Sequence, residues 1–178
     1  ENVNLPKYPL PEYPKAKSTF KAALGNKFPF ADEAVSNAVI DASIGDDAHY
    51  RGWFVYGTNL PMTIPGVREK LKQAADQLEL IVVVETMPAE MTGYADVILP
   101  ECTYLERYDG LRNSAQRSPS LALRMPAFEP KYNSKPGWWI ARQLGEKLGL
   151  QKYFPWQDYS EVLDWQLKKV GSSLQEMQ

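Results

Sequence analysis

The sequence holds one cysteine and one histidine in 178 residues. A single Cys excludes an internal disulfide, an all-Cys iron–sulfur site and a Cys-based zinc site. A single His excludes multi-His metal sites and leaves little room for a catalytic triad. No apolar run reaches the ~18 residues that a membrane span needs. Neither charge dominates: 20 Lys and Arg against 22 Asp and Glu leave a formal net charge of -2. That balance argues against a nucleic-acid backbone or an anionic membrane as the main partner. The chain opens at Glu1 without a Met, and no basic stretch followed by an apolar one precedes its first structured segment. The expectation is therefore a chain without a secretory signal, either processed or cut from something longer.

Hydrophobic residues make up 44% of the chain and charged residues 24%, ordinary globular values that exclude disorder throughout. The length fits one domain, or one with an appended segment. Proline is plentiful, with 14, and aromatics reach 12%, including 5 Trp and 10 Tyr. Pro6, Pro9, Pro11, Pro14 and Pro29 fall within residues 1–30. Each removes a backbone donor and pushes its predecessor toward extended conformations. Residues 1–30 thus read as an extended arm, with Leu5, Tyr8, Leu10 and Tyr13 packing on the domain or on a neighbour.

Asp32 suits the N-cap of a helix running to about Ile44, with Val35, Ala38, Val39 and Ala42 on one face. His49 then falls in a polar loop. Trp53-Phe54-Val55-Tyr56 reads as a buried strand, and Gly57-Thr58-Asn59-Leu60-Pro61 breaks it. Residues 66–77 carry Val67, Leu71, Ala74 and Ala75 at helical spacing. Leu80-Ile81-Val82-Val83-Val84 is a β-branched run without alternation, the mark of a parallel strand covered on both faces. Strand, helix and strand in this span make a right-handed βαβ unit. Val97-Ile98-Leu99 is a third strand, and Leu121–Arg124 a short further one. Ser134 reads as the cap of a helix ended by Gly149, and Asp158 with Glu161 as a capping box for a last helix. The fold class expected is α/β, a doubly wound, mainly parallel sheet with helices on both faces. Its parts are the arm 1–30, the α/β domain 31–150 and a helical segment 151–178.

Ligands of an open parallel sheet bind beyond the carboxyl ends of its strands. Two segments fall there. Gly57 permits a tight turn, and Asn59 brings both a donor and an acceptor. Glu85 ends the second strand, where an acid can grip a ribose diol or a guanine edge; the alternative is a solvated strand end. There is no G-x-G-x-x-G, so an ordinary NAD fingerprint is absent. Glu101, Glu106 and Asp109 read as solvated or salt-bridged acids. Arg107, Arg112, Arg117 and Arg124 suit either a solvated loop or phosphate capture. Cys102 reads as a packed thiol, and Trp138-Trp139 as core.

Taken together, Gly57-Thr58-Asn59, Ile81 to Glu85, Ala95-Asp96-Val97-Ile98-Leu99-Pro100 and Glu106 resemble the molybdopterin oxidoreductases. The stretch from Glu101 to Asp109, with Lys135-Pro136-Gly137-Trp138-Trp139-Ile140-Ala141, is most similar to catalytic subunits of polysulfide and thiosulfate reductases. The likeness covers about residues 50–170. It implies a fragment of a molybdenum oxidoreductase of anaerobic respiration, the third domain, which helps hold the guanosine end of a molybdopterin guanine dinucleotide. It implies cofactor contacts at Gly57, Thr58, Asn59, Val84, Glu85, Thr86 and Arg107, with no catalytic residue and no metal ligand in this piece. Molybdenum, and an iron–sulfur cluster, would be held by other regions, so the piece alone would be inactive. Glu85 stands where the family more often has Asp, and Gly137 where it has an acid. The implied partners are the remaining domains, an iron–sulfur electron-transfer subunit and a membrane anchor subunit. The implied place is periplasmic, or membrane-associated on the outer face of the bacterial inner membrane. The other readings are a different oxyanion or formate branch, and a non-enzymatic nucleotide-binding or interaction module.

Overall fold

The computed structural model describes residues 5–12, 36–114, 117–118 and 120–178. The chain divides into two compact units, one of residues Pro14–Pro100 and one joining Glu1–Tyr13 to Glu101–Gln178. Asp32, the expected helix cap, and Tyr13 of the arm lie outside the described residues.

The unit ending at Pro100 is built on a three-stranded sheet: β1 (Gly52–Tyr56), β2 (Leu80–Glu85) and β3 (Val97–Pro100), in the order β1-β2-β3. Both pairings are parallel, with Tyr56 beside Val84 and Glu85 beside Pro100. Around it run helix α1 (Ser36–Asp41), the short α2 (Leu60–Thr63), α3 (Arg68–Gln77) and a 3-10 turn over Glu90–Tyr94. The expected α/β class with a parallel sheet is what the chain forms.

The periodicity of α3 explains its seat. Leu71, Ala74 and Leu78 recur at helical spacing and are buried with Ile40, Trp53, Val55, Ile81 and Val83. Burying a Leu side chain fully is worth about 1.5–3 kcal/mol, and Leu71 is wholly inaccessible. Trp53 keeps its polar end satisfied: its indole N–H donates to Ser43 Oγ at 2.9 Å, and that hydroxyl donates to Val39 O at 2.8 Å. The strand expected to be buried, Trp53 to Tyr56, is buried on one face only. Phe54 and Tyr56 are 51% and 50% exposed, because β1 ends the order of described strands and alternate side chains point away from the core.

In the other unit, β4 (Arg112–Ser114) pairs antiparallel with β5 (Ser120–Ala122), Asn113 facing Leu121. Helix α4 (Gly137–Lys147) follows, then a 3-10 turn at Gln151–Tyr153, α5 (Tyr159–Lys169) and α6 (Leu174–Met177). The expected strand 121–124 is therefore one residue earlier and shorter, and its partner β4 was not foreseen. Aromatic rings fill the core between the 3-10 turn and the helices: Trp138, Phe154 and Tyr159 each meet Trp156 edge-on, with centroids 5.7, 5.8 and 6.0 Å apart.

Ser134 is not the cap of α4. The cap position is Pro136, in extended conformation, and Ser134 is buried with its Oγ 3.8 Å from Cys102 Sγ. Lys135 precedes a proline, which disfavours helical backbone there, and it bridges to Glu101 instead. The capping box at Asp158 and Glu161 is present as read, and Gly149 takes φ +72° just after α4.

Candidate functional site

Parallel pairing brings the carboxyl ends of β1 and β2 to one edge of the sheet. Gly57 N–H donates to Val84 O at 3.1 Å, so the first turn after β1 starts level with the end of β2. Gly57 has φ +56°, a region that costs other residues, with no atom within 4 Å of where a side chain would start. That leaves its backbone open to approach. Thr58 Oγ1 donates back to Tyr56 O at 3.2 Å, tightening the turn.

Asn59 opens α2 with its side chain turned away from that helix. Its Nδ2 donates to Glu90 Oε2 at 2.6 Å, and its Oδ1 accepts from Met91 N–H at 3.2 Å. One amide thus ties the turn after β1 to the 3-10 turn after β2. The Asn59 hydrogen bond is the main cause holding the Glu90 carboxyl below the usual carboxylate range, with a backbone N–H adding to it and burial opposing. Glu90 did not stand out in the sequence, since its partner is 31 residues away.

Glu85 closes β2, half-buried. Its Oε1 accepts from Thr86 N–H at 2.9 Å and from Thr86 Oγ1 at 3.3 Å. Both bonds fall on one oxygen, and among the described residues Oε2 has no protein donor. Val84, one residue earlier, is fully buried and serves as the floor under this edge. The edge therefore offers an open glycine backbone, two hydroxyl oxygens and a carboxylate oxygen, with the Asn59 amide engaged within the chain. Such a donor set suits a hydroxyl-rich nucleoside and carries no cation for phosphate.

Arg107 belongs to the other unit, where its guanidinium is taken up by two carboxylates. It pairs with Glu101 and donates from Nε to Asp109 Oδ1 at 3.2 Å. Asp109 pairs in turn with Arg124. Glu101 is only 5% exposed, and its Oε1 also accepts from Gly137 N–H at 3.1 Å. Of the two readings for this acid, salt-bridged is the one the structure has, and its second task is to satisfy a free N–H at the start of α4. Glu106 accepts from Thr103 N–H at 2.9 Å and Lys131 N–H at 3.2 Å, bonds that hold its carboxyl below the usual range. Cys102 is fully buried, and burial pushes its thiol up, as a packed thiol requires. Among the described residues no three of His, Cys, Asp and Glu gather as a metal-holding group. No described helix is long and apolar enough to cross a membrane.

The family model "Molybdopterin oxidoreductase" matches residues 25–147. The thiosulfate reductase molybdopterin-containing subunit PhsA of Salmonella typhimurium is 35% identical over 133 residues, 74% of this chain and 17% of that protein. A nitrate reductase of Symbiobacterium thermophilum is 26% identical over 125 residues, 70% of this chain and 16% of that protein. The solved acetylene hydratase of Pelobacter acetylenicus superposes with a TM-score of 0.66 at 20% identity, covering 82% of this chain and 20% of that one. This chain thus spans less than a fifth of the length of those two curated relatives.

Proposed function

This chain belongs to the molybdopterin oxidoreductase family, and from that premise we propose that it helps hold the guanosine end of a molybdopterin guanine dinucleotide. In this reading Glu85 accepts hydrogen bonds from ribose hydroxyls or the guanine edge through its open Oε2. Asn59 fixes the turn against the nucleotide, while Gly57, Thr58 and Thr86 line the approach over Val84. The observation that carries the reading is the position of Glu85: a carboxylate oxygen without a donor among the described residues, at the carboxyl end of a parallel strand, one strand away from an open glycine turn.

When bound, such a cofactor supplies two-electron chemistry at its metal, and the protein's share is position and electrostatics. The residues of this edge bind and orient; none of them is offered as a proton carrier. The parent is proposed to reduce thiosulfate or polysulfide in anaerobic respiration. The 35% identity to PhsA over most of this chain favours that branch, and the weaker likeness to a nitrate reductase keeps other oxyanions as the second reading. An iron–sulfur electron-transfer subunit, a membrane anchor subunit and a place on the outer face of the inner membrane complete the proposal.

The test is chemical. Cofactor extracted from the purified parent and hydrolysed in acid is expected to release GMP in proportion to pterin, and the parent to turn over thiosulfate with a reduced dye. Release of CMP, or no nucleotide, contradicts the guanosine reading. Turnover of nitrate without thiosulfate contradicts the branch.

A further inference from the structure

Residues 5–12, Leu5-Pro6-Lys7-Tyr8-Pro9-Leu10-Pro11-Glu12, form neither helix nor paired strand. From Pro6 to Pro11 exposure alternates. Pro6, Tyr8 and Leu10 are half-buried, while Lys7, Pro9 and Pro11 are exposed. A period of two is that of an extended chain with one side laid on a surface.

That surface is α5, in the same compact unit. Gln166 Nε2 donates to Pro6 O at 3.0 Å, across 160 residues of sequence. The ring of Tyr8 meets Trp165 edge-on, with centroids 5.4 Å apart and planes at 68°. Lys169 holds its ammonium 5.6 Å from the Trp165 ring centre. Helix α5 thus has two occupied sides. Val162, Leu163 and Leu167 go into the core, and Trp165 with Gln166, half-buried, receives the strap.

The chemistry of the strap matches its seat. Proline has no N–H to leave unpaired, and its fixed φ lowers the entropy lost on docking. A side-chain donor aimed at a carbonyl beside an aromatic ring is the equipment that reads extended proline-rich segments. Each contact is small, so the seat works only for a ligand already extended.

We propose that the Trp165–Gln166 side of α5 is a recognition site for an extended proline-rich segment, and that residues 5–12 are its resident ligand. The pair forms a clasp that fastens the front of the chain to its last long helix. The site takes a proline carbonyl at one end and an aromatic ring two residues on.

The test uses the full chain and follows tryptic cleavage after the exposed Lys7 by mass spectrometry, with cleavage after Lys152 as the internal control. Gln166→Ala removes the hydrogen bond to Pro6 O, and cleavage at Lys7 should rise roughly 2- to 10-fold. Pro6→Ala keeps the carbonyl but loosens the chain, for a rise of roughly 2- to 5-fold. Trp165→Ala should exceed both, and should that variant fail to fold, the first two decide. Acceleration at Lys7 with unchanged cleavage at Lys152 supports the clasp. Unchanged cleavage at Lys7 in both Gln166→Ala and Pro6→Ala overturns it, as does an equal rise at both sites, which would report general loosening.

Discussion

Asn59 spends both ends of its amide on the 3-10 turn that follows β2, Nδ2 on Glu90 and Oδ1 on Met91. Its family-implied task is to touch a nucleotide, yet the bonds it makes within the chain hold two loops of one edge together. The consequence has a sign in pH. The Glu90 carboxyl titrates lower in the folded chain than in the unfolded one, first because of Asn59. A depressed carboxyl contributes stability that is fully present above its unfolded value and is lost as pH falls through the folded one. In an NMR titration, Asn59→Ala should move the Glu90 midpoint up, toward that of an ordinary glutamate. A midpoint unchanged from the parent chain would remove Asn59 as the cause. Asn59 and Glu85 were legible in the sequence because strand ends and turn residues can be read locally. Glu90 and the Glu101–Gly137 bond were not, since each joins positions 31 and 36 residues apart that only the folded chain brings together.

At the scale of the element, β2 and β4 mark the two extremes. The β-branched run of β2 has few other structures open to it and was found to within one residue. Strand β4 is Arg112-Asn113-Ser114, three polar residues with no hydrophobic pattern, and exists only because Ser120–Ala122 pairs with it. Helix α4 shows how tertiary packing overrides a local rule. Gly145 lies in its interior, where glycine costs about 1 kcal/mol relative to alanine. Phe154 explains it: a Cβ at Gly145 would come within 2.8 Å of the ring carbon Cδ2. Overpacking of that kind costs about 1–3 kcal/mol. Gly145→Ala should therefore lower stability in urea despite the gain in helix propensity, and Phe154→Leu should make the same substitution neutral or favourable. A Gly145→Ala chain more stable than its parent with Phe154 in place would show that the ring moves aside freely.

At the scale of the molecule, the α/β class and the parallel order followed from one βαβ pattern in residues 53–99, and the parallel sheet β1-β2-β3 has that form. The division at Pro100 had no such signal, because it depends on which contacts the later segments choose. Residues 5–12 join the later unit rather than the sheet that follows them in sequence. The two curated relatives are about six times longer than the part they share with this chain, so under the proposed function the sheet edge carrying Gly57, Asn59 and Glu85 would be one portion of a larger site. The most direct test is the cofactor content and release rate of the purified parent carrying Glu85→Ala. Loss of one charge-assisted hydrogen bond, worth about 1.5–3 kcal/mol, should speed cofactor release by roughly one to two orders of magnitude. Full occupancy with unchanged release would contradict the account and leave Glu85 a solvated strand end.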